Sequence, residues 1–113
     1  MIDKYSFGSI TIQGDVYKAD LKIIDGKVMP NWWRKEGHRL RVEDIQDILD
    51  SAPEELVIGT GFFGMMKVGD DLKELIRGKG IKLVVERTGK AVAVFNEAHR
   101  NGRRVAAAFH LTC

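Results

Sequence analysis

The sequence predicts an α/β domain. An N-terminal β-meander is followed by an α-β-α-β-α-β order, giving three layers around a central mixed sheet. Two observations carry this prediction. Between residues 5 and 23 apolar side chains recur with period two, as in strands that send successive residues to opposite faces. From residue 42 onward, short continuously apolar runs alternate with segments of helical period, the pattern of strands buried between helices. A length of 113 residues, 44% hydrophobic and 30% charged, suits a single domain over 1–113.

Tyr5, Phe7, Ser9 and Thr11 interleave with Ser6, Gly8, Ile10 and Ile12, and the run breaks at Gly14-Asp15. A second run follows, Val16 to Ile23, so the pair reads as an antiparallel hairpin. Asp25-Gly26 is a further turn signal, and Lys27-Val28-Met29 extends the meander. Pro30 to Arg41 carries no period and reads as a loop with Trp32 and Trp33. Val42 then opens a helix with Ile45, Ile48, Leu49 and Ala52 on one face, stopped by Pro53. Leu56-Val57-Ile58 is a buried strand ending at Gly59. Asp71 to Arg77 is a second helix with Leu72, Leu75 and Ile76 inward and Asp71 with Glu74 as a capping box. Ile81 to Val85 is another buried strand. Thr88 to about His99 reads as a helix capped by Thr88, although Ala91 to Phe95 alone fits a strand equally well. Val105 to Leu111 is the final strand.

Composition narrows the function. Eighteen basic against sixteen acidic residues leave a net charge of +2, which counts against nucleic acid as a partner. No window is apolar enough to span a membrane. The first residues lack the pattern of a signal or transit peptide, and the one cysteine, Cys113, permits no internal disulfide. A cytoplasmic location is the expectation.

Gly59-Thr60-Gly61-Phe62-Phe63-Gly64 is a literal G-x-G-x-x-G after a buried strand, with Glu86 placed 22 residues beyond Gly64. In dinucleotide sites such glycines admit the pyrophosphate and the acid holds the ribose, so Gly59, Gly61, Gly64 and Glu86 form a candidate nucleotide site. Against it, Met65 to Gly69 separates the motif from the next helix, and Asp70-Asp71 would repel phosphate. Phe62, Phe63, Met65 and Met66 suit a self-association surface, a lid or the core. Residues 32–41 mix tryptophan with four Arg/Lys residues and one acid, a weaker candidate for single-stranded nucleic acid. His38, His99, His110 and Cys113 have no metal-ligand spacing, and no catalytic constellation stands out, so neither metal nor cofactor is expected.

Pro30-Asn31-Trp32-Trp33-Arg34, Leu56 to Gly61, Thr88 with Ala91 and Phe95-Asn96, and Gly102 to Ala107 together resemble one small domain family. It is largely of unknown function and includes the human adipogenesis-associated domain-containing protein and a mitochondrial complex I assembly factor. The resemblance implies a three-layer α/β domain whose last strand runs antiparallel to its neighbours, and it makes Thr88 to about His99 a helix. It does not require Gly64, and Thr60, Thr88 and Asn96 match its recurring polar positions. The reading that follows is a binding or assembly module for a protein partner or a small anion, with homodimerisation as one form. Its pocket would be formed by Trp33, Arg34, Gly59, Thr60, Gly61, Thr88 and Asn96.

Overall fold

The computed structural model describes all residues from Met1 to Cys113. Eight strands and three α-helices follow one another as β1 (Ile2–Ser6), β2 (Ser9–Ile12), β3 (Asp15–Tyr17), β4 (Leu21–Ile24), β5 (Lys27–Met29), α1 (Gln46–Asp50), β6 (Glu55–Thr60), α2 (Asp70–Gly78), β7 (Lys82–Glu86), α3 (Thr88–Arg100) and β8 (Val105–His110). The N-terminal meander forms two sheets rather than one. Strands β1-β2-β3 make a separate three-stranded sheet, while β4 and β5 extend a five-stranded sheet of order β5-β4-β8-β6-β7.

The long alternating run up to Ile12 hides a turn. Phe7-Gly8 reverses the chain, with Gly8 at φ +75°, a conformation that costs glycine little. Alternation continues through a two-residue turn, so the pattern alone did not mark the break.

Strand β6 is parallel to both β7 and β8, and β4 runs antiparallel to β8. The last strand is therefore antiparallel to one neighbour only, which corrects the arrangement implied by the family resemblance. Side-chain alternation assigns the two faces. Val57, Ala107 and Phe109 meet α3 (Ala91, Val92, Phe95) and Ile2, Ile10 and Ile12 of the small sheet. Leu56, Ile58, Ala106 and Ala108 meet Ile45, Ile48 and Leu49 around α1, Ile76 of α2, and Trp32 and Leu40 of the long loop. Alanines on β8 let the covering elements approach closely.

Several local expectations change. Residues 42–50 form a 3₁₀ turn and a short α-helix rather than one helix. In α2 the N-cap is Gly69 with no side-chain cap, and Leu75 is exposed, because only Ile76 reaches the sheet at full depth. Strand β7 is half-buried since it is an edge strand with a single neighbour. Thr88 opens α3 but does not cap it; its hydroxyl is used elsewhere.

Candidate functional site

The chain leaves β6, passes through α2 on one face to β7, then crosses back through α3 on the other face to β8. The connections leaving the carboxyl ends of the adjacent strands β6 and β7 thus go to opposite faces. In open α/β sheets the crevice outside the carboxyl ends of two such strands is where ligands gather. Here it lies beyond the register partners Gly59 and Glu86, where Thr60 Oγ1 donates to the Glu86 carbonyl at 3.2 Å, with the end of β8 at His110 beside it.

This crevice is filled by the chain itself. Gly61 sits at φ +108°, and a Cβ there would lie 2.5 Å from the Cys113 carbonyl carbon. The Gly61 amide donates to Thr88 Oγ1 at 2.9 Å, and that hydroxyl donates to the His110 carbonyl at 2.6 Å. The Phe62 amide donates to the Thr112 carbonyl and the Met65 amide to that of Cys113, at 2.6 and 2.8 Å. Gly64 and Met66 amides donate to Gly61 and Thr60 carbonyls. A Cβ on Gly59 would come within 2.7 Å of Thr88 Oγ1. The glycines of the motif thus serve close packing and tight backbone approach, and most of the amides a phosphate would need already have acceptors.

Beside this node is a buried ionic cluster. The Arg34 side chain is 4% exposed, with Nη1 2.9 Å from Asp20 Oδ2. His110 is 7% exposed, and its Nδ1 lies 2.8 Å from the same carboxylate oxygen and 3.1 Å from Arg34 Nη2. Nδ1 either donates to Asp20 or accepts from Arg34, so the ring's tautomer chooses between the two. The second Asp20 oxygen accepts the Leu111 amide at 2.8 Å. Burial pushes the Asp20 carboxyl up, but the hydrogen bonds from His110 and Leu111 and the charges of His110 and Arg34 together outweigh it and hold it below its ordinary value. Arg34 also donates to the Gly37 carbonyl and stacks over the Trp32 ring at 4.6 Å. Tyr5, its phenol raised by burial, donates to the Leu111 carbonyl at 2.8 Å. Two buried nitrogens, Arg34 Nη1 and His110 Nε2, lack a well-aligned hydrogen bond. No Ser, Thr or Cys is bonded to His110 Nε2, so the Asp20–His110 pair has no nucleophile on that side.

Of the residues singled out from sequence, Gly59, Thr60, Gly61 and Thr88 meet in the node, and Arg34 lies beside it. Trp33, 84% exposed, lies on the loop above. Asn96 stands apart, about 12 Å along α3 from Thr88; its amide group pairs with the Ile2 backbone at 2.9 Å in both directions. Glu86 pairs with Lys90 at 3.4 Å. Met66 is 1% exposed and belongs to the core, because its amide is drawn back to Thr60. Phe62, Phe63 and Met65 remain outside. Asp20 is distant in sequence from Arg34 and His110 and follows no spacing rule, so local pattern does not join it to them.

The sequence matches, over residues 2–110, the family described as a protein of unknown function, DUF498/DUF598. The chain belongs to this family. The membership that the sequence resemblance implied is thereby borne out. Among solved structures, the DUF498/DUF598 chain is similar to one titled MT938, with 32% identity, a TM-score of 0.83, and coverage of 100% of this chain and 98% of that one. A conserved hypothetical protein from Pyrococcus horikoshii has 23% identity and a TM-score of 0.82, covering 100% and 99%, a likeness of fold. A protein described as an outer membrane protein from Bartonella henselae has 26% identity and a TM-score of 0.84, covering 99% and 94%.

Proposed function

We propose that this DUF498/DUF598 chain is a binding or assembly module of the cytoplasm, without chemistry of its own, that engages its partner through the carboxyl end of the central sheet. One observation carries the reading. Of eight exposed large hydrophobic residues, five (Phe7, Trp33, Phe62, Phe63 and Met65) sit on the loops at that end. Such clustering marks contact surfaces, whereas single exposed apolar residues are ordinary. The buried Asp20–Arg34–His110 cluster then serves as the rigid support that holds these loops.

A photo-crosslinking residue at position 63 tests this, with position 16 as control because Val16 is also exposed but lies on β3. The expected outcome is adducts from position 63 and none from 16 in cells that express the protein. Equal labelling from both positions, or none from 63, refutes the reading.

A further inference from the structure

Resting on the reading that this end is a contact surface, we propose that its occupant is the surface of an anionic bilayer, with the aromatic knob entering the headgroup region. The knob is built by two adjacent turns. Phe62 and Phe63 lie with ring centroids 5.0 Å apart, and Phe7 from the β1–β2 turn packs against them at 5.8 and 6.1 Å. Met65 is 46% exposed beside them, and Trp33 projects from the neighbouring loop. Tryptophan and phenylalanine over a cationic rim are the side chains that favour a membrane interface.

The rim carries four cations. Arg87 flanks the knob, its Cγ 3.3 Å from where a Gly64 Cβ would stand. Lys67 follows the aromatic loop, its backbone pairing with that at Arg39, and Lys35 adjoins Trp33. All four are exposed and none forms an ion pair. Glu36 is engaged by Arg41, Glu86 by Lys90 and Asp20 in the buried cluster, while the acids Glu43, Asp70 and Asp71 share a groove with Arg39, away from Arg87 and the phenylalanines. Charge of this sign complements the anionic lipids of a cytoplasmic leaflet.

Other occupants fit less well. A second copy on a two-fold axis would set this cationic rim against itself. An added peptide strand needs a row of free backbone donors, but in this loop only the Phe63 amide is free, those of Gly61, Phe62, Gly64, Met65 and Met66 being bonded internally. Those satisfied amides are what a loop needs in order to enter an apolar medium cheaply. Single-stranded nucleic acid stacks along successive parallel ring faces, whereas the phenylalanines pack edge to face at 73° and 75°. No helix is long and apolar enough to cross a membrane, so docking would be peripheral.

The test is co-sedimentation of the intact protein with vesicles of phosphatidylcholine alone and with roughly one third phosphatidylserine. Partition is expected only with phosphatidylserine, weakening as salt is added, with a blue shift of tryptophan emission that Trp33→Phe removes. Phe62→Ser with Phe63→Ser should lower partition about tenfold or more, and Arg87→Gln about fivefold. Circular dichroism and thermal unfolding check that each variant is folded. Equal partition with both vesicle types, no partition, or partition indifferent to the phenylalanines overturns the proposal. If vesicles fail while position 63 still crosslinks to a protein, or if sedimentation reveals a dimer lost in Phe63→Glu, the contact surface stands and the lipid occupant falls. If vesicles fail and position 63 labels nothing, both fall.

Discussion

At the amino end of the central sheet, Arg104 reaches Asp25 at 3.2 Å and the carbonyls of Ser51 and Ala52, and both charged side chains are more than half exposed. Arg103 reaches from solvent toward Glu55 at 3.7 Å. At the carboxyl end the arrangement is inverted. Arg34, Asp20 and His110 are inside, and Phe7, Phe62, Phe63 and Met65 are outside. The solvated Arg104–Asp25 pair contributes little, and the buried acid at that end, Glu55, is met only by a half-exposed arginine. Burying three ionisable groups while exposing four apolar ones is costly twice over, and this contrast supports the proposal that the carboxyl end is a contact surface.

The sharpest way to break the contrast is to remove one partner of the buried cluster. Arg34→Met leaves the Asp20 carboxylate buried and under-compensated and should cost about 3–5 kcal/mol in urea unfolding at neutral pH. Removing an exposed pair at the other end, Asp25→Asn, should cost about 0–1 kcal/mol by the same measurement. Comparable losses would erase the distinction between the ends.

Gly61→Ala comes next, at about 3 kcal/mol, from strain at positive φ and collision with the Cys113 backbone. Gly14→Ala has the strained φ without the collision and should cost less. Equal costs would mean that the tail yields easily.

The pH dependence sharpens the electrostatic half. The Asp20 carboxyl is lowered on folding, so its stabilisation is complete above the unfolded value near ~4 and is lost as pH falls through the folded value. Asp20→Asn should therefore flatten the acid arm of the stability profile while being less stable at neutral pH. An unchanged acid arm would assign acid unfolding to other carboxylates. The smallest expected effect belongs to Phe63→Ser, within about 1 kcal/mol, because the ring is 56% exposed. A larger loss would make the knob part of the core.

The strands and helices that face the core were legible from period alone, since Leu56, Ile58 and Phe95 must be apolar wherever their partners come from. Turn chemistry was legible where glycine interrupts a pattern, as at Gly14, and hidden where alternation runs through it, as at Phe7-Gly8. The choice of helix for Ala91 to Phe95 came from the family resemblance, because that apolar run suits either state. The site was half visible. Arg34, Thr60, Gly61 and Thr88 were named, but Thr88 was read as a helix cap when its hydroxyl in fact joins Gly61 to His110. Asp20 and the inward turn of Met66 depend on long-range packing, which no local spacing encodes.

The hydrogen bonds around the carboxyl end also set an order of events. Tyr5 bonds to Leu111 across 106 positions, and the His110–Asp20 pair spans 90. Such distant closures form late and slowly. As the chain leaves the ribosome, the Phe62 and Met65 amides have no acceptors until Thr112 and Cys113 arrive. Until then Phe62 and Phe63 belong to an unfinished loop, and the nascent chain is at its most adhesive before residues 112 and 113 emerge to close it.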